Sequence, residues 1–164
     1  MTLLNAPVYD ERKEKLKRTL IIGSAVTVVT LVLLTLAGYV LGHGWLFTNL
    51  PAEHKVDRFF TALEAKDYSK AYAIYTNDDD FAQHPDQHKD YPLQRFTEDW
   101  TTESPVGAPI TSHHVDISKT DGSGTFGTGI IVAVRVNANN KKIFMWYQKS
   151  DHTLTEPAPH EIQY

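Results

Sequence analysis

The chain has 164 residues, no cysteine and a net charge of −4, which excludes a disulfide framework, thiolate catalysis and a lipid-modified cysteine. The charge is unevenly placed: Arg12, Lys13, Lys15, Lys17 and Arg18 precede a long apolar run, while 17 acidic and 11 basic residues follow it, a net of −6. An acidic bulk without a basic stripe argues against nucleic-acid binding, and the part beyond the run is long enough to bury one core.

Residues 1–18 read as a cytoplasmic tail whose last residues continue into a helix. Residues 19–42 carry no charged side chain; as a helix this run is ~36 Å long, against a bilayer core of ~30 Å. The lysines and arginines crowd its N-terminal flank only. The positive-inside rule then predicts a retained anchor in the cytoplasmic (inner) membrane, with the N-terminus in the cytoplasm and the C-terminal part periplasmic or extracellular. The competing reading is a cleaved signal peptide, but the run exceeds the usual 7–15-residue apolar region of such peptides and lacks a good cleavage site. Tyr39, Trp45 and Phe47 suit an outer aromatic belt. Gly38 and Gly42 form a Gly-x-x-x-Gly pair, expected to permit helix–helix contact; the plain abundance of glycine in membrane helices is the alternative. Gly42 and Gly44 are expected to end the helix. Residues 43–52 then read as a tether, of which 45–51 would span at most ~25 Å.

Residues 53–164 are expected to fold as one domain. Three short helices are predicted first. Pro51 suits a first turn, and Val56, Phe59, Phe60 and Leu63 share one helical face. Asp67 is a candidate N-cap for a second helix with the stripe Tyr68, Ala71, Tyr72 and Tyr75. Residues 76–91 read as an irregular acidic loop. A third helix should start near Pro92, presenting Leu93, Phe96 and Trp100. Strands follow over 110–118, 130–136 and 142–149, with short edge segments at 153–155 and 161–164. The nearly unbroken apolar run at 130–136 marks a central strand with both faces covered. Asparagines at 137–140 supply turn chemistry. Helices first and antiparallel strands after give an α+β fold: one transmembrane helix, then three short helices on a curved antiparallel sheet.

The run Val56-Asp57-Arg58-Phe59-Phe60-Thr61-Ala62-Leu63-Glu64-Ala65-Lys66-Asp67-Tyr68-Ser69-Lys70-Ala71-Tyr72 resembles the opening helix pair of nuclear transport factor 2-like (cystatin-like) domains, in particular the membrane-tethered bacterial type, over residues 53–164. The resemblance implies a cone in which the sheet wraps the helices and leaves room for an apolar pocket. That superfamily includes isomerases, dehydratases and cyclases as well as non-catalytic dimerisation and binding modules, so the fold does not decide the function. No catalytic residue is carried over from it.

The chemical motifs are weak. Residues 122–127, Gly-Ser-Gly-Thr-Phe-Gly, spell a dinucleotide fingerprint, but a β-type run follows where a helix is required. His84 and His88 flank Pro85 in a loop, His113 and His114 point to opposite faces of a strand, and Asp78-Asp79-Asp80 lacks calcium-loop spacing. No cofactor and no metal are expected. Asp57, Asp116 and His113 are the candidates for acid–base work, with Asp57 on the solvent side. Arg135 interrupts an apolar strand and is expected either to meet a carboxylate inside the cone or to face solvent outside it. Tyr72, Tyr75, Trp100, Arg135 and Trp146 are the candidate pocket residues; the alternative is that the aromatics are simply core. The expected function is a single-pass, membrane-anchored, non-catalytic interaction domain, acting as a homodimer or an accessory subunit. A module for a small apolar ligand, or an isomerase- or dehydratase-like enzyme, is the alternative.

Overall fold

The computed structural model describes residues 10–121, 127–138 and 140–156. The chain divides into two compact units, Met1–Ala37 and Gly38–Tyr164. The fold is α+β: a long apolar helix, three further helices and a four-stranded antiparallel open sheet.

Helix α1 (Glu11–Val40) is 30 residues long, with none of them buried. Among the described residues it is the one helix long and apolar enough to cross a membrane. Asp10 starts it: Arg12 N and Lys13 N donate to Asp10 Oδ1 at 3.1 and 3.2 Å, satisfying two of the donors a helix start leaves open. Thr27, Thr30 and Thr35 each donate their hydroxyl to a carbonyl one turn back, which hides these polar atoms within the apolar run. The helix ends as the sequence predicts. His43 N donates to Gly38 O at 2.9 Å and Gly42 N to Tyr39 O at 3.2 Å, the paired bonds of a Schellman end. Gly42 takes the left-handed backbone this end requires, φ +88°.

The next helix begins earlier than predicted. Helix α2 (Leu46–Glu64) starts five residues before Pro51 and carries that proline inside it. Residues 46–52 are therefore helical, not an extended tether. What holds this first turn is remote in sequence. Asn49, 1 % exposed, donates from Nδ2 to Ser118 Oγ at 2.9 Å; Ser118 Oγ donates to His43 O and Ser118 N to Gly42 O. Those bonds fix residues 42–49 and offset the backbone bond that Pro51 cannot make.

Lys66, at φ +58°, closes α2 with the same pair of bonds, Lys66 N to Leu63 O and Asp67 N to Ala62 O. Asp67 then caps helix α3 (Tyr68–Thr76) as predicted, accepting Lys70 N at 3.0 Å. The loop after α3 is built around Asp78. Nδ1–H of His84 and Nε2–H of His88 both donate to Asp78 Oδ2, at 2.9 and 3.0 Å, and a 3-10 turn, Phe81–Gln83, seats Phe81 edge-on to Tyr72. Helix α4 (Leu93–Asp99) follows Pro92, as predicted.

Strands β1 (His113–Thr120), β2 (Gly129–Val136), β3 (Lys141–Gln148) and β4 (Leu154–Thr155) pair in sequence order. Asn137 and Asn140 supply the left-handed backbone of the β2–β3 turn. The expected strand at 161–164 and most of the glycine-rich stretch at 122–127 lie outside the described residues. The inner face of the sheet, Ile130, Val132, Val134, Val136, Ile143, Met145 and Tyr147, packs with Val56, Phe59, Phe60 and Leu63 of α2 in one core. A β-bulge between Val115 and Ile117 breaks the β1–β2 register. The extra residue puts both Asp116 and Ile117 on the outer face, although they are consecutive.

Candidate functional site

Of the five candidate pocket residues, only Tyr75 and Trp100 line a common recess; Arg135 and Trp146 lie on the other face of the sheet. Tyr72 and Trp100 are buried in the core, at 0 % and 2 % exposure. Tyr72 packs edge-on to Phe96 at 5.3 Å, and Phe59 edge-on to Trp100 at 5.1 Å, geometries that favour aromatic pairs beyond their burial. The Tyr72 hydroxyl is consumed by Tyr91 O at 2.6 Å. The space between helices and sheet that an open cone would leave is thus occupied by the chain's own rings. Tyr75 lines a recess of about 250 Å³ with Trp100, Tyr91, Arg95, Asp99 and Glu156. Burial pushes the Tyr75 phenol up to about 12. Burial, then the bond to Asp99, raises Tyr91 further. Both phenols therefore stay protonated at neutral pH; Tyr91 donates to Asp99 Oδ2, and the Tyr75 oxygen accepts from the Glu156 backbone amide. Arg95 is held by Asp99 at 2.9 Å and Glu103 at 3.0 Å.

Arg135 and Trp146 lie on the opposite, outer face of the sheet. Arg135 Nη2 donates to Asp116 Oδ1 at 2.5 Å. It meets a carboxylate as one expectation had it, but outside the core. Around this pair stands a second apolar cluster, separate from the core: Ile131 and Ala133, 3 % and 0 % exposed, covered by Ile117, Phe144 and Trp146. Three buried polar atoms of this face, Arg135 Nε, Trp146 Nε1 and Gln148 Oε1, have no hydrogen-bond partner among the described residues. Buried polar atoms are nearly always paired, so an orphaned trio on one face is informative. Trp146 lies across Gly129: any Cβ at position 129 would overlap its indole. The glycine is what lets the ring approach its neighbouring strand this closely.

Two of the acid–base candidates, His113 and Asp57, meet each other. His113 bonds Glu64 through Nδ1 at 2.6 Å and Asp57 through Nε2 at 3.1 Å, and stacks on Phe60. It ties β1 to α2. Asp57 is half-exposed, as expected. Among the described residues, no group of three or more His, Asp or Glu side chains is arranged to hold a metal ion. Gly38 and Gly42 do not stand together on a helical face. Gly42 lies past the end of α1, where a Cβ would come 2.9 Å from Ile117 Cγ2.

Sequence reasoning missed the Asn49–Ser118 bond and the bulge at Asp116. Neither leaves a local signal; each depends on a partner strand whose register had not been fixed. Comparison of the chain with protein-family models, with curated proteins and with solved structures gave no match.

Proposed function

We propose that this chain is a single-pass, membrane-anchored interaction domain that self-associates through the outer face of its sheet. In this reading α1 is the anchor, its lysine- and arginine-bearing end stays in the cytoplasm, and the second unit works beyond the cytoplasmic membrane, in a bacterium the periplasm. The excess of Lys and Arg on one flank of the apolar run supports that orientation. The order of three helices and then an antiparallel sheet supports a kinship with nuclear transport factor 2-like domains.

One observation carries the interaction reading. A sheet whose inner face already holds the core needs only polar residues outside, yet Ile117, Phe144 and Trp146 form an apolar surface there, around the Arg135–Asp116 pair. Aromatic and arginine side chains are those that anchor interfaces. A two-fold arrangement would lay this face on its own copy. The aromatic filling of the interior weighs against the alternatives that require an open cone, an apolar ligand module or an isomerase- or dehydratase-like enzyme.

The test is the mass of the full chain in lipid nanodiscs. The reading expects twice the protomer mass of 18.5 kDa, and a return to the single mass for Phe144→Asp with its melting temperature retained. A wild-type chain that stays single at micromolar concentration and captures no other membrane subunit overturns it. Orientation is tested separately: protease added outside spheroplasts should degrade the second unit, and its survival would overturn the assigned topology.

A further inference from the structure

Helix α2 segregates its charges. Its acids are spoken for: Glu53 bonds His43 at 2.9 Å, and Asp57 and Glu64 bond His113. Its bases are not. His54, Lys55 and Arg58 open instead onto a recess of about 410 Å³ between α2, α3 and the β3–β4 turn. None of the three has an ion-pair partner within 4.0 Å among the described residues. Among the described residues, Lys55 Nζ donates to a neutral amide, Asn77 Oδ1, at 2.6 Å. His152 enters the recess from the β3–β4 turn and is hydrogen-bonded to the Tyr147 hydroxyl. Tyr147 and Ile74 supply an apolar wall.

We propose that this recess binds the phosphate group of a small organic anion. The pairing of a guanidinium with an ammonium on one wall suits the several oxygens of a phosphate better than a carboxylate. Arg58 brings a permanent positive charge and Lys55 a second one below about pH 8, against one lining carboxylate, Asp79. A second carboxylate, that of Asp151, acts on Lys55 from outside the lining and is kept ionised by bonds from Thr153 N at 3.0 Å and Thr153 Oγ1 at 2.8 Å. The Arg58 guanidinium offers a planar fork to two phosphate oxygens, and Lys55 a point charge beside it. The volume exceeds that of a bare phosphate and lies within the range of small-ligand sites, so the body of the ligand lies on Tyr147 and Ile74. Burial, followed by the nearby Arg58 charge, lowers Lys55 to about 8. An arriving dianion relieves that strain, so binding above pH 8 takes up a proton on Lys55.

The phosphate has two possible sources, a soluble metabolite or an anionic lipid headgroup, and two arms separate them. In the first, the full chain in phosphatidylcholine nanodiscs is titrated calorimetrically with glycerol 3-phosphate, with inorganic phosphate, and with glycerol as the neutral control. In the second, phosphatidic acid replaces part of the lipid, and the Lys55 side-chain NMR signal is followed with no soluble probe. The proposal expects saturable binding in at least one arm and none of glycerol. At pH 9 the heat should change with the ionisation enthalpy of the buffer. Arg58→Gln and Lys55→Gln should each weaken binding at least tenfold without lowering the melting temperature, and Asp79→Asn should tighten it. Saturation by soluble phosphate assigns a metabolite; a Lys55 response to phosphatidic acid alone assigns a headgroup. The proposal is overturned if neither arm responds, or if binding survives undiminished in both variants. The Lys55 signal of the unmutated chain decides the matter should a variant fail to fold.

Discussion

Asn49 and Ser118 meet through a 2.9 Å hydrogen bond across 69 residues of sequence, both side chains buried. Removing Ser118 leaves the buried Asn49 amide nitrogen without this acceptor, and removing Asn49 leaves Ser118 Oγ with His43 O alone. Ser118→Ala and Asn49→Ala should each destabilise the second unit by about 1–3 kcal/mol. The double variant should cost less than the sum, because the two residues share one bond. Urea unfolding of the detergent-solubilised chain, followed by tryptophan fluorescence, measures all three.

Gly129→Ala should lower stability by about 1–3 kcal/mol, since the new methyl must displace the Trp146 indole. Pairing it with Trp146→Ala should recover part of that loss. If the double variant is no better than Gly129→Ala alone, the close approach of ring and glycine is not the cause.

Lys55 gives a pH signature opposite to that of most surface lysines. Its folded value, about 8, lies below the ordinary 10.5, so burial of the charged form costs stability at neutral pH. That cost is full below pH 8 and fades as the pH rises toward 10.5, because the unfolded chain then holds the extra proton. Lys55→Gln should therefore stabilise the unliganded domain at pH 7, by about 1 kcal/mol after solvent screening, and the gain should vanish by pH 10.5. Chemical unfolding of both chains at pH 7, 9 and 10.5 tests the sign.

Asp78 works in the other direction. The bonds from His88 and then His84 hold its carboxyl below the usual 3.8. Its contribution is present above pH 3.8 and is lost as the pH falls through the lowered folded value. Asp78→Asn should open the loop of residues 77–92 to protease at pH 7, where the wild-type loop resists, and should remove this step from the acid transition.

Much of the architecture is legible in short patterns. The apolar run of α1, the i, i+3, i+4, i+7 set from Val56 to Leu63, Asp67 as a cap and the unbroken β2 run each encode their element locally. Alternation along β3 puts Ile143, Met145 and Tyr147 on one face and Phe144 and Trp146 on the other, as the two apolar clusters of the structure do. What was not legible depends on pairing. Pro51 reads as a helix start because the bonds that stabilise residues 46–50 come from Ser118. Arg135 could be assigned to neither face until its register with β1 was known, and the bulge at Asp116 decides what it meets. The basic recess escaped notice for a related reason. His54, Lys55 and Arg58 look like a mixed-charge solvent face until His43 and His113, from outside the helix, are seen to occupy its acids.

The carbonyl of Gly42 occupies the amide of Ser118 on the outermost strand. That contact acts as a guard rail. An unprotected strand margin recruits other strands and seeds aggregates. A lipid-free version trimmed to begin at Pro51 would discard the guard together with Asn49, and should precipitate or form fibrils. One that keeps the chain from residue 38 onward should remain in solution.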